Sequence, residues 1–206
     1  VHIGHLALAD EICVSLGYDK VLFVPVFSPP HKTMNEALPP EKRTEMVELA
    51  CQDDPRFKME PCEIQRGGVS YTYDTICFIE EKYKPEKIGL VIGRDLFSTF
   101  HLWKNAALLA KKCELILAER PFQAEDKNFK NKATGKYSKA IDSAEKEFRI
   151  EDEPLFKNAV FLKNEPLAVS STSIRFRAAN KMAFQYLVPS KVFKYIIEGN
   201  LYGSKN

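Results

Sequence analysis

A chain of 206 residues, 45% hydrophobic and 28% charged, has the material for a real core and is too rich in apolar residues to be a disordered segment. A formal net charge of only +2 excludes a protein that grips nucleic acid through a strong overall basic field, yet leaves room for a local cationic pocket. No stretch approaches the roughly 20 apolar residues of a membrane span. The five cysteines, at 13, 51, 62, 77 and 113, show no CxxC or zinc spacing, so reduced core thiols of a cytoplasmic protein are expected.

Short apolar runs alternate with amphipathic segments. Helical spacing runs over 6–16 and stops at Gly17. Residues 21–26 read as a buried strand, and 27–39 as a loop. The segment 40–51 predicts a helix with proline in its first turn. Residues 57–64 read as extended, Arg66-Gly67-Gly68 as a turn, and a helix capped by Ser70 or Thr72 runs on to about Tyr83. A strand over 88–92 closes at Gly93. Two short helices, 95–100 and 105–112, flank Trp103, the only tryptophan. Strands are predicted over 115–118 and 160–162. The polar, lysine-rich segment 121–152 between them reads as a surface excursion with a helix near 138–148. Helices over 173–180 and 189–198 complete the chain.

Strands that alternate with helices imply an α/β protein, a doubly wound parallel sheet in one domain spanning 1–206. Ligands of such folds sit beyond the carboxyl ends of the strands. The polar phrases obey that rule. His31, Gly93 and Asp95 follow predicted strand ends, and 170–175 lies between the last strand and a helix.

Two phrases carry the chemistry. His2-Ile3-Gly4-His5 places two imidazoles on the first turn of a helix, with Gly4 between them to allow close approach to the backbone. Imidazole N–H groups can donate to phosphate oxygens whose charge grows during transfer. Far downstream, Ser170-Ser171-Thr172-Ser173-Ile174-Arg175 sets hydroxyls, backbone N–H groups and an arginine at another helix start, an anion site in kind. Serine and threonine are also ordinary helix caps, and a lone histidine is more often structural. The pair of histidines and the cluster of hydroxyls with Arg175 and Arg177 together favour a triphosphate site.

Six phrases in order carry a resemblance along nearly the whole chain: His2-Ile3-Gly4-His5; Ser28-Pro29-Pro30-His31-Lys32; residues 70–75 (SYTYDT); Ile92-Gly93-Arg94-Asp95; His101-Leu102-Trp103; and residues 170–175. Tyr186-Leu187-Val188-Pro189 before the last helix completes the set. The chain resembles the bacterial nicotinate-nucleotide adenylyltransferases of the HxGH nucleotidyltransferase superfamily. The resemblance implies a Rossmann-like fold and the reaction of ATP with nicotinate mononucleotide to give deamido-NAD and pyrophosphate, within NAD biosynthesis. It implies His2 and His5 on the ATP phosphates, and Lys32, Ser171 and Arg175 around the triphosphate. Gly4, His31, Ser170 and Thr172 stand nearby. Gly93 and Asp95 lie along the adenosine or ribose, and Thr72 and Trp103 hold the nicotinate ring, Trp103 by stacking or, in the structural alternative, as a core anchor. Mg2+ is implied, held mainly by phosphates and water, with no protein ligand named.

The mononucleotide's 5′-phosphate is already a nucleophile, so positioning and charge neutralisation suffice. No covalent-nucleophile phrase is present. ATP and the mononucleotide are thus the expected partners, with no nucleic acid and no membrane. Homo-oligomer formation stays open. Two departures from the family pattern stand out. No strand and glycine-rich turn precede His2, so the sequence as given reads as a fragment of impaired folding and activity. Arg120-Pro121-Phe122 stands where the family has Arg-Pro-Gly. A pantetheine-phosphate adenylyltransferase is the nearest rival, disfavoured by the Pro-Pro-His-Lys and tryptophan phrases. A non-catalytic nucleotide-binding module is the rival of another class.

Overall fold

The computed structural model describes residues 1–30, 38–119 and 150–204. In chain order the first elements are α1 (Ile3–Leu16), β1 (Val21–Phe23), α2 (Pro40–Cys51), β2 (Phe57–Met59), α3 (Cys62–Arg66) and α4 (Thr72–Tyr83). They are followed by β3 (Gly89–Gly93), a 3-10 segment Arg94–Leu102, α5 (Ala106–Lys112), β4 (Glu114–Ala118), β5 (Val160–Leu162), α6 (Ser171–Ala179) and α7 (Ser190–Glu198). The predicted helix near 138–148 lies outside the described residues, as do His31, Lys32 and Arg120. The chain divides into two compact units, Val1–Ser70 with Leu167–Asn206, and Tyr71–Pro166. Among the described residues no helix is long and apolar enough to cross a membrane.

In the first unit, α1 starts earlier than the apolar spacing marks, because His2 adopts the extended conformation of an N-cap. It ends at Gly17, whose φ of 69° is the left-handed stop that glycine makes without strain. β1 and β2 pair in parallel, Val21 with Phe57, Leu22 with Lys58 and Phe23 with Met59. The strand is half as long as the apolar run 21–26 predicts. Pro25 has no N–H to give a ladder, so residues 24–26 leave the sheet. α2 has the bounds read from the sequence, with Pro40 in its first turn. The stretch 57–64 is not extended throughout. After Met59 the chain turns at Pro61, whose carbonyl accepts from Gln65 N–H at 2.9 Å, and α3 forms in its place. Gly67 and Gly68, both at φ near 70°, make the expected turn. The packing of this unit centres on Met46, Ala50, Ile174, Ala178, Val192 and Ile196, which join α2, α6 and α7.

In the second unit the strand order is β3-β4-β5, all parallel, and α5 supplies the short connection from the 3-10 segment into β4. β4 is the central strand, with Leu115, Ile116, Leu117 and Ala118 all buried. That explains its unbroken apolar run, since a parallel strand covered on both faces needs no polar alternation. Phe97, Phe100, Leu109 and Phe156 pack with Ile92 and Leu117 into its core. Every ladder among the described residues is parallel, and the chain is an α/β protein.

Candidate active site

The first turn of α1 is built by its histidines. The backbone N–H of His2 donates to His5 Nδ1 at 3.3 Å, and His5 N–H donates to the His2 carbonyl at 3.0 Å. The His5 ring thus takes the place that Glu or Gln holds at the third position of a capping box. The two imidazoles stack with centroids 3.8 Å apart and planes 26° from parallel. His2 is buried and His5 half-buried. One consequence is chemical. Nδ1 of His5 accepts, so the proton of the neutral ring sits on Nε2, leaving that nitrogen as a donor at the far edge of the ring.

The structure gives Gly4 a reason of its own. A Cβ there would lie 2.9 Å from Val169 Cγ1 and 3.2 Å from His2 Nδ1. The bare backbone lets α1 close on the segment ahead of α6 while the histidine stack forms.

α6 begins at Ser171, two residues before the predicted start. Ser170 is its N-cap, with Oγ accepting from Ser173 N–H at 3.1 Å. Ser171 and Arg175, four residues apart, share one face of this helix above the buried Ile174. Arg175 also donates to Thr172 Oγ1 at 3.2 Å, which holds its fork near the helix start. Arg177 is not part of this arrangement. Its guanidinium donates to the Ala183 carbonyl at 3.1 Å and ties down the chain after α6.

These pieces meet in a cavity of about 440 Å3, within the usual range for small-molecule sites. His5 lines it from α1, and Ser171, Ile174 and Arg175 from α6. Phe23 and residues 24–26, the carboxyl end of β1 and the chain beyond it, form another wall. The cavity therefore lies where a parallel α/β sheet places ligands.

Two further lining residues escaped the sequence reading. Arg43 reaches in from α2, and Tyr202 from the segment after α7. Arg43 donates to the carbonyls of Phe27, at 3.2 Å, of Leu38, at 3.1 Å, and of Val26. Burial holds its guanidinium below the usual arginine range. Burial pushes the Tyr202 phenol up, while the charges of Arg175 and Arg43 oppose that shift. Arg43 precedes the inward-facing Met46 and Val47 by three and four residues, so helical periodicity was the signal for it. Tyr202 sits at φ 60° after Asn200 at φ 49°, and no sequence signal marked it.

Gly93, Asp95, Thr72 and Trp103 lie in the second unit. Gly93 ends β3, and Asp95 is exposed in the first turn of the 3-10 segment. Thr72 opens α4, whose N-cap is Tyr71, and no side chain caps that helix. Ser70, expected as a cap, instead accepts from Phe27 N–H at 3.2 Å. Trp103 is half-buried, with its ring 5.3 Å from that of Phe100 at 58°. Part of the indole anchors to the core and part remains accessible, so the core-anchor and stacking readings are compatible.

Among the described residues no group of three or more His, Cys, Asp or Glu could hold a metal ion.

An imidazole, a hydroxyl and arginines thus line one cavity at the end of a parallel strand. The family model described as cytidylyltransferase-like matches residues 1–177. The protein named "Probable nicotinate-nucleotide adenylyltransferase" of Borrelia garinii subsp. bavariensis is 35% identical over 205 residues, covering 100% of this chain and 90% of that one. The protein of the same name from Treponema pallidum is 34% identical over 207 residues, covering 99% and 94%. Plasmodium falciparum nicotinic acid mononucleotide adenylyltransferase complexed with NaAD superposes with a TM-score of 0.68 at 16% identity, covering 100% of this chain and 93% of that one. That likeness supports the fold. On the cytidylyltransferase-like match and the full-length relatives, the chain belongs to the nicotinate-nucleotide adenylyltransferase family.

Proposed function

We propose that the protein transfers the adenylyl group of ATP to nicotinate mononucleotide, giving deamido-NAD and pyrophosphate. The observation that carries this reading is the shared cavity, in which His5, Ser171 and Arg175 converge at the carboxyl end of β1. Membership of the family supplies the acceptor. An oxygen of the mononucleotide's 5′-phosphate attacks the α-phosphorus of ATP. The bond from that phosphorus to the α–β bridging oxygen breaks, and pyrophosphate leaves with the electron pair.

His5 donates through Nε2 to a phosphate oxygen that gains charge in the transition state. His2 supports it by stacking and by fixing its Nδ1 as an acceptor. Arg175 holds the β- and γ-phosphates with its planar fork, and Ser171 donates from the start of α6. Gly4, Ser170 and Thr172 shape this end. By the family's pattern, His31 and Lys32 are assigned to the triphosphate, and Gly93 and Asp95 to the adenosine or ribose. Thr72 and Trp103 hold the acceptor ring.

Nucleotidyltransferases generally use a divalent metal, and we take it to be Mg2+ carried by the triphosphate and water. We read residues 1–206 as belonging to one nucleotidyltransferase domain, and the protein as working in the cytoplasm. The test is pyrophosphate release with ATP and magnesium against a panel of acceptors. Nicotinate mononucleotide should be preferred. Equal or faster turnover of phosphopantetheine would overturn the reading.

A further inference from the structure

The charges beside Thr72 and Trp103 form a closed pair. Lys104, the residue after Trp103, reaches Asp74 in the first turn of α4, with Nζ 3.0 Å from Oδ1 and 2.9 Å from Oδ2. The same ammonium lies 4.7 Å from the ring centroid of Tyr71, which precedes Thr72. The loop is built to deliver it. Trp103 N–H donates to the Phe100 carbonyl at 3.0 Å, and Asn105, at φ 58°, turns the chain into α5. Lys104 is held between those two fixed points. Both side chains remain about two-fifths exposed, 42% for Lys104 and 37% for Asp74, so as a stabilising contact the pair is worth little. Its position calls for another account.

We propose that the Lys104–Asp74 pair is a specificity element, setting the preference for an acceptor whose ring carries a carboxylate over one that carries the amide. This rests on the reading that Thr72 and Trp103 hold the acceptor ring. The two acceptors differ by one negative charge. Asp74 stands two residues after Thr72, and an uncompensated carboxylate there repels an anionic ring substituent and leaves a neutral one almost untouched. Lys104 cancels it. One unopposed unit charge in these partly wet surroundings changes the ratio of the two acceptors by roughly three- to tenfold, the scale of a screened charge–charge interaction. The same bridge fixes the Trp103 loop to the first turn of α4.

The test uses the intact protein and both mononucleotides, nicotinate and nicotinamide, with kcat/KM measured for each at low and high salt. Lys104→Met keeps most of the aliphatic stem and removes the charge. It should lower the nicotinate-to-nicotinamide ratio by about three- to tenfold, through the nicotinate value, and less so in high salt. Asp74→Asn alone should shift the ratio the other way, since it leaves Lys104 unopposed. Asp74→Asn combined with Lys104→Met should return it to the parent value, and Lys104→Arg should leave it unchanged. The proposal is overturned if the two single variants move the ratio in the same direction, if neither moves it, or if both acceptors fall equally and the double variant only adds to the loss. A parent protein with no turnover of either mononucleotide overturns the functional reading itself, and this proposal with it. That outcome is distinct from a parent that works and variants that keep its ratio.

Discussion

His5 has an observed capping role and a proposed catalytic one, which substitution can separate. As a cap it accepts the His2 N–H at 3.3 Å and stacks on the His2 ring at 3.8 Å. In the proposed reaction it also offers Nε2 to phosphate. His5→Ala removes both. The lost cap costs about 1 kcal/mol and the lost ring pair about 0.5–1.5 kcal/mol, so stability should fall by about 2 kcal/mol. For a chain of this size that is a melting shift of about 4–8 °C. The lost donor should cost about 2.7–4 kcal/mol of barrier, roughly 100- to 1000-fold in kcat. His5→Glu divides the two effects. Glutamate is the natural third residue of a capping box and sits well near a helix N-terminus, so this variant should melt above the alanine variant. Its charge repels the triphosphate, so its turnover should be at or below that of the alanine variant. The assays are thermal unfolding and pyrophosphate release at a temperature where all three proteins are folded. A glutamate variant that regains turnover together with stability would show that His5 acts only as a cap.

Gly4→Ala pushes a Cβ to 2.9 Å from Val169 Cγ1 and should cost about 1–3 kcal/mol in urea unfolding, with Val169→Ala in the same chain recovering part of it. Full additivity of the two changes would refute the close contact. Ser170→Ala should cost about 1 kcal/mol through loss of the α6 cap, whereas Ser170→Asp should keep stability and raise the KM for ATP. An unchanged KM would move the triphosphate away from α6. Trp103→Ala should raise the KM for the mononucleotide and leave that for ATP nearly unchanged, and an equal rise in both would mark a purely structural tryptophan. Burial pushes the Cys51 and Cys113 thiols up to about 11. The unfolded chain then ionises first, so their contribution to stability is complete below about pH 8.5 and is lost as pH rises toward 11. Replacing both with alanine should flatten that part of the stability profile, and an unchanged slope would contradict the assignment.

What the sequence shows and hides follows physical lines. α2 and the Gly17 stop of α1 were legible because their ends are written in single residues, Pro40 and Gly17, whose backbone limits act locally. β4 was legible because a strand covered on both faces is apolar throughout. β1 came out shorter than its apolar run because the pairing of Phe23 with Met59 ends the ladder, and Pro25 cannot extend it. The 3-10 form of Arg94–Leu102 and the short α3 depend on neighbours that periodicity does not report. Of the residues that line the cavity, His5, Ser171 and Arg175 stood out in the sequence because imidazoles and clustered hydroxyls are rare enough to be conspicuous. Arg43 lies among the charges of a polar helix start, yet it lines the cavity one turn before Met46. Tyr202 enters through two left-handed residues after α7, which no local pattern foretold.

Label at the α-phosphorus of ATP follows the adenylyl group from substrate to product. The protein is mixed with ATP labelled at the α-phosphorus and with nicotinate mononucleotide, and the products are separated. The label should pass in one step into the dinucleotide, the pyrophosphate should be unlabelled, and His5→Ala should slow the transfer roughly 100- to 1000-fold without changing the product. Label that remains on the protein, or that emerges as AMP with no dinucleotide, would contradict direct transfer to the mononucleotide.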